Sequence, residues 1–143
     1  MSFKNQKGTA VVEMALVLPV LFLIAFGILE FSLILYDKAV VTNASREGAR
    51  AGIVAQIPAM QPGDITAVVN NYTQNYLVTF GGSKSAQTNI TGQCGPDSSG
   101  NSSFGSNLQV QVTFPYKFLI LPNFVTLNNP INLSAITVMR CEN

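Results

Sequence analysis

Residues 14–36 form an apolar segment whose only charged residue is Glu30. A helix needs about 20 residues to cross the ~30 Å hydrocarbon core of a bilayer, so this segment is long enough to span one. Lipid offers no hydrogen-bond partners to the backbone, and a single segment satisfies its own N–H and C=O groups only as a helix. Pro19 removes one of these bonds, which membrane helices tolerate as a kink. The segment therefore predicts a membrane-inserted helix.

The residues before this segment do not form a conventional secretory signal. The first eight residues, MSFKNQKG, carry Lys4 and Lys7 and end at Gly8. A signal peptide has a shorter apolar region followed by a small-residue cleavage site. Here the best such site, residues 25–27, lies in the middle of the apolar run. A glycine instead precedes the run, and Glu13 follows that glycine by five residues.

Gly8, Thr9 and Glu13 together resemble the class III leader of type IV pilins and pseudopilins. In that superfamily a short basic leader ends in Gly, the hydrophobic helix is retained after cleavage, and a Glu occupies the fifth mature position. Residues 27–31 (GILEF) and 43–50 (NASREGAR) make the chain similar to the TadE-like family of tight-adherence pilus systems. The resemblance covers residues 7–55 closely and residues 107–142 loosely.

The resemblance implies a role for each of these N-terminal residues. A prepilin peptidase would cleave after Gly8 and leave Thr9 as the new N-terminus. Glu13 would then pair with the α-amino group of a neighbouring subunit and set the axial register during assembly, in a low dielectric that strengthens the pair. The alternative for Glu13 is a solvated carboxylate near the headgroups. Glu30 is either a protonated group facing lipid or a contact between helices.

Charge alone hardly decides the orientation of the helix, because Lys4 and Lys7 precede it while Lys38, Arg46 and Arg50 follow it. The leader resemblance implies a single-pass protein of the inner membrane with a cytoplasmic N-terminus and an extracytoplasmic head. The partners it implies are other pilin-like subunits, the prepilin peptidase, the inner-membrane assembly platform and membrane lipid.

The helix is expected to continue beyond the apolar run, because residues 37–57 contain no proline and Pro58 follows them. The expected organisation is a leader at 1–8, a helix over 9–57 with 14–36 embedded in the membrane, and a head at 58–143. Small residues three and four apart share one face of this helix, which another backbone can approach closely. These residues are Ala44, Gly48, Ala51 and Gly52. Their partner is the chain's own sheet or, alternatively, a neighbouring subunit.

The head is predicted to add a second helix and a short antiparallel sheet, which makes the fold class α+β. Asp64 is predicted to cap a helix of about 13 residues that ends before Gly81 and Gly82. Strands are predicted at 87–91, at 108–114 with Pro115 ending it, and at 131–140 with a bulge where the apolar alternation shifts. Residues 118–121 are predicted to be buried in the core, with an exposed apolar loop as the alternative.

Cys94 and Cys141 both follow the membrane helix. If the head is translocated, both lie in an oxidising compartment and a disulfide is expected, with two free thiols as the alternative. A head of ~90 residues builds only a small core, which a disulfide would supplement.

The composition gives little support to catalysis or nucleic-acid binding. The chain has no histidine, the commonest general base, and its net charge is only +1. We expect no enzymatic activity, no cofactor, no metal site and no nucleic-acid partner. The expected function is that of a pseudopilin or minor pilin, which takes part in pilus assembly by helix packing. The alternatives are a major filament-forming pilin and a membrane-anchored envelope protein with a ligand-binding head that never polymerises.

Overall fold

A computed structural model describes residues 6–54, 59–80, 82–95, 104–118 and 130–142. Two helices and three strands follow one another along the chain: α1 (Gln6–Ile53), α2 (Pro62–Tyr76), β1 (Gln87–Thr91), β2 (Asn107–Tyr116) and β3 (Ile131–Arg140). The predicted α+β fold, with a long N-terminal helix, a second helix and an antiparallel sheet, is confirmed.

Helix α1 contains 48 residues and continues through Pro19. At ~1.5 Å per residue it is about 72 Å long, more than twice the thickness of a hydrocarbon core. Its bounds differ from the predicted range 9–57, because it begins at Gln6 and ends at Ile53. The last residues of the expected leader are therefore already helical. Residues 55–58, including the predicted stop at Pro58, lie outside the described residues.

The three strands form one antiparallel sheet in the order β1-β2-β3. The register between β2 and β3 is continuous from Asn107↔Arg140 to Tyr116↔Ile131. The predicted bulge in the last strand is therefore wrong. The apolar alternation shifts because two apolar side chains of β3, at positions 136 and 138, are exposed on the outer face of the sheet.

Strand β2 does not end at Pro115, as the sequence suggested, but continues to Tyr116. Pro115 pairs with Asn132 of β3, whereas the pairing with β1 ends at Thr113. A proline cannot donate to a sheet ladder, so it is tolerated where a strand has a neighbour on one side only. Pro115 has a neighbour on one side only, because β1 begins at Gln87, opposite Thr113, and has no residue opposite Pro115.

Helix α2 begins at Pro62 with Gln61 as its N-cap, so Asp64 is the third helical residue and not the cap. The Asp64 carboxylate accepts a hydrogen bond from the backbone N–H of Gln61 at 3.1 Å, as the third residue of a capping box does. The helix ends at Tyr76, before the two glycines, and Leu77 continues in an extended conformation.

The core lies between the C-terminal half of α1, one face of α2 and the inner face of the sheet. Every second side chain of β2 is buried there, as expected for a strand with one face on a core. The buried apolar residues at its centre are Val41, Ala44, Ile65, Val69, Leu108, Val110, Val112 and Phe114. Phe118 packs against this core, whereas residues 119–121 lie outside the described residues.

Candidate functional site

Helix α1 has two halves with opposite surroundings. From residue 8 to residue 29 its apolar side chains are exposed, and Val11 and Leu16 show 69% and 72% of their surface. The most apolar window of this helix has a mean hydropathy of 2.6 and is 0% buried. A core helix of a soluble protein would be covered by its own domain, so this half needs lipid or other helices around it.

The residues assigned to processing and register all lie in the exposed half. Gly8, Thr9 and Glu13 are exposed and helical. A Cβ built on Gly8 would meet no atom within 4 Å. The space around Gly8 is therefore open to lipid or to a partner chain.

The junction between the two halves is marked by Glu30, which is only 2% exposed. The hydroxyl of Tyr116, at the end of β2, donates a hydrogen bond to Glu30 Oε1 at 2.8 Å. Burial, followed by the hydrogen bond to Glu30, raises the pKa of Tyr116, so this hydroxyl keeps its proton and remains a donor. Glu30 therefore contacts the chain's own head, which neither of its two predicted roles included.

Asp37 is a second buried acid at this junction, seven residues after Glu30 and on the same side of α1. Its Oδ1 accepts the backbone N–H of Val78 at 3.0 Å. Its Oδ2 is buried and has no hydrogen-bond partner among the described residues. Burial raises the pKa of Asp37, and the Val78 hydrogen bond and the charge of Lys84 only partly oppose this.

Sequence reasoning missed both Tyr116 and Asp37. Tyr116 was hidden because Pro115 was taken as the end of the strand. The available signal for Asp37 was its spacing from Glu30, which places two acids on one face of α1. Glu30 and Asp37 hold Tyr116 and Val78 against α1, at the point where its exposed half ends. The end of β2 at Tyr116 and the segment from Val78 onward form the base of the head.

Replacing Asp37 with Asn should make the stability of the head less dependent on pH. The folded-state pKa of Asp37 lies above its ordinary value of 3.8, so the folded chain binds this proton more tightly than the unfolded chain. Its contribution to stability is complete below pH 3.8 and is lost as pH rises through the folded-state pKa. An Asn side chain still accepts the Val78 N–H but cannot ionise. The Asp37→Asn variant should therefore be more stable than the wild type at neutral pH.

Urea unfolding of the full chain in detergent micelles, at acid and at neutral pH, measures this difference. Glu47→Gln is the matched control, because Glu47 is an exposed acid on the same helix. Parallel pH profiles for the wild type and Asp37→Asn would contradict the assignment.

The stripe of small residues on α1 contacts the chain's own head, the first of the two partners considered. A Cβ on Gly48 would lie 2.6 Å from Val69 Cγ2, and one on Gly52 would lie 2.5 Å from Leu108 Cδ2. Ala44 is fully buried, whereas Ala51 is half-buried at the side of the stripe. The glycines thus allow α2 and β2 to approach the backbone of α1.

Polar contacts connect the same half of α1 to β3. Ser45 Oγ lies 2.8 Å from Thr137 Oγ1, and Lys38 Nζ donates to the carbonyl oxygen of Ser134. Ser45 is fully buried. These contacts, like the small-residue stripe, attach the head to α1 only beyond Leu29.

Cys94 and Cys141 form a disulfide, which confirms the pairing expected from the sequence. Both are almost completely buried, and the N–H of Cys141 donates to the carbonyl oxygen of Ser106 at 2.9 Å. The bridge lies near Ile53, at the end of the head furthest from Glu30, where Ile53 and Cys141 line one groove. It connects the end of β3 to the segment that follows β1.

The family model described as TadE-like protein matches residues 8–50 of this chain. The match starts at Gly8 and ends three residues before α1 does, so it covers the helix and not the head. This confirms the TadE-like resemblance of the N-terminal part, while the looser resemblance of residues 107–142 stays a prediction. No curated protein and no solved structure gives a significant match to the chain.

Proposed function

We propose that this chain, with its TadE-like N-terminal helix, is a minor pilin or pseudopilin of a tight-adherence pilus system. It is inserted in the inner membrane with its N-terminus in the cytoplasm and its head outside. A prepilin peptidase removes residues 1–8, and an assembly platform draws the remaining chain into contact with other pilin-like helices. The work of the protein in this proposal is packing, with no catalytic step.

The observation that carries the proposal is the division of α1. Residues 8–29 are exposed and, apart from Thr9 and Glu13, apolar, whereas the described residues of the head contact α1 from Glu30 onward. At ~1.5 Å per residue the exposed half is about 33 Å long, close to the thickness of a hydrocarbon core. An exposed apolar helix of this length can be covered either by lipid or by a bundle of similar helices. An envelope protein that never polymerises needs the same span but would not need the spacing of Gly8, Thr9 and Glu13 that resembles a pilin leader.

The first test is the mass of the chain recovered from cells with and without a prepilin peptidase of a tight-adherence system. With the peptidase, the chain should begin at Thr9, and without it the chain should keep residues 1–8. Abundance in sheared filaments then distinguishes a minor from a major subunit. A chain that keeps its leader in the presence of the peptidase would favour the non-polymerising anchor.

Glu13→Ala should preserve membrane insertion but reduce incorporation into filaments. A hydrogen bond to a charged group contributes about 1.5–3 kcal/mol, so the loss of the pair should lower incorporation roughly tenfold or more. Immunoblotting of sheared filaments against the membrane fraction measures this ratio. Glu47→Ala is the control, because Glu47 is an exposed acid in the half of α1 that carries the head. Equal incorporation of the two variants would contradict the role of Glu13.

A further inference from the structure

The head and the exposed apolar surface of α1 overlap along the helix axis. Between residues 30 and 36 one side of the helix is covered, since Glu30 is buried and Leu33 packs against the core. On the other side Phe31 and Leu35 are 61% and 55% exposed. The overlap is about 10 Å long at ~1.5 Å per residue. A membrane that covers the exposed side therefore reaches the level of the base of the head.

The thickness of a bilayer places this overlap in the headgroup layer. The head is attached from Glu30 onward and its polar surface does not enter hydrocarbon, so the ~30 Å core falls on residues 8–29 and not on the 14–36 expected from the sequence. The polar layers bring the total thickness to about 40–45 Å. The outer polar layer, about 5–7 Å of that total, then begins at Glu30, beside which Tyr116 lies. The segment from Val78 onward lines the same groove as Tyr116. This step rests on the proposed function in one respect, namely that α1 is inserted in a membrane.

The base of the head carries side chains suited to that layer. A groove of about 320 Å³ opens there between the segment that follows α2 and the end of β2. Phe80, Ser83 and Lys117 line it. Phe80 is 59% exposed, and Lys117 is exposed as well. Protein surfaces that lie in the headgroup layer insert Phe, Trp or Leu side chains and place lysines beside them.

The charges of the described residues are also distributed in favour of an anionic surface. The acids at the base, Glu30 and Asp37, are buried, while Lys117 points its charge to the surface. The opposite end carries charges of both signs: Asp64 and Glu142 lie at the start of α2 and beside Cys141, and Arg50 and Arg140 lie at the ends of α1 and β3. An anionic phospholipid layer complements this arrangement.

We propose that the membrane-inserted chain rests the base of its head on the headgroup layer before it is assembled. Phe80 inserts among the headgroups, and Lys117 binds anionic phospholipid. Entry into a filament exchanges this lipid contact for contacts with other subunits.

The chain has no tryptophan, so an introduced indole is the only one it carries and can be excited selectively over the four tyrosines. The full chain is reconstituted into nanodiscs as three single variants, and quenching by brominated phospholipids reports the depth of each indole. Phe80→Trp should be quenched most by bromine near the headgroups. Phe104→Trp, 74% exposed at the opposite end of the head, should not be quenched. Phe22→Trp, within the span, should be quenched by bromine deep in the acyl chains.

The three variants distinguish failure of this inference from failure of the proposed function. Lack of quenching in Phe22→Trp would overturn membrane insertion and with it the proposed function. Quenching of Phe22→Trp, but no more quenching of Phe80→Trp than of Phe104→Trp, would overturn only the resting position of the head.

A second arm tests the preference for anionic lipid. In the Phe80→Trp background, brominated phosphatidylglycerol should quench more than brominated phosphatidylcholine in mixed bilayers. Lys117→Gln should lower this preference about fivefold, the usual effect of one basic residue at an anionic surface. Arg140→Gln, an exposed charge at the far end of β3, should leave it unchanged. An unaltered preference in Lys117→Gln would overturn the assignment of that residue.

Discussion

Removing the disulfide with Cys94→Ala and Cys141→Ala together should lower the free energy of unfolding of the head by about 4 kcal/mol. The two residues are separated by 47 positions, and opening a loop of that size returns much conformational freedom to the unfolded chain. Alanine is chosen because both sites are buried and a serine would add an unneeded hydroxyl. For a head of ~90 residues, whose whole stability is roughly 5–13 kcal/mol, the expected loss is large.

Urea unfolding of the full chain in detergent micelles, followed by proteolysis of the unfolded head, measures this loss. The wild type treated with a thiol reductant is the control and should unfold at nearly the same urea concentration as the double variant. A double variant as stable as the oxidised wild type would show that the small core supports the head without the bridge.

The second large effect is expected from Gly48→Leu. A Cβ at this position would lie 2.6 Å from Cγ2 of Val69. Val69 is β-branched and lies in α2, so its side chain has little freedom to move away. Overpacking of this kind costs about 3 kcal/mol, so the head should be destabilised by that amount.

Gly27→Leu is the matched control for this experiment, because it makes the same change in the same helix where a Cβ meets no atom within 4 Å. The same urea experiment should find the head of Gly27→Leu as stable as that of the wild type. If Gly48→Leu were equally harmless, the small-residue stripe would not pack on α2 in the isolated chain, and a neighbouring subunit would become its better partner.

The local patterns of the sequence predicted most of the fold. The long apolar run predicted α1, the strict alternation over residues 108–114 predicted β2, and the alternation over residues 131–140, despite its shift, predicted β3. These predictions succeeded because the period of apolar side chains follows directly from helix and strand geometry. The disulfide was predictable because two cysteines in a head that is expected outside the cytoplasm are expected to pair.

The incorrect predictions depended on neighbours distant in sequence. Pro115 continues β2 because β1 does not extend that far, which no property of residues 108–116 reveals. The apolar residues Ile136 and Val138 suggested a bulge, but they are exposed on a regular strand. Each of these outcomes is decided by what lies beside the strand, and a local pattern carries no information about that.

The candidate site shows the same division. The exposed half of α1 followed from composition, because no head of this size could cover so long an apolar helix. The contact between Glu30 and Tyr116 could not be predicted from local sequence, since 86 positions separate the two residues. Helical spacing identified the face that carries Gly48 and Gly52, but it left two partners open. The packing against Val69 and Leu108 selects the chain's own head for this face.

The position of the disulfide beside Ile53 has a practical consequence for experiments on the living cell. Cys141 and Glu142 lie beside Ile53, at the end of the head furthest from Glu30. Ile53 is about 35 Å from Glu30 along α1, at ~1.5 Å per residue. A fluorophore or epitope attached at Glu142 would face away from the bundle of apolar helices. Such a tag would leave the packing surface clear, whereas one placed ahead of Gly8 would be lost if the proposed cleavage takes place.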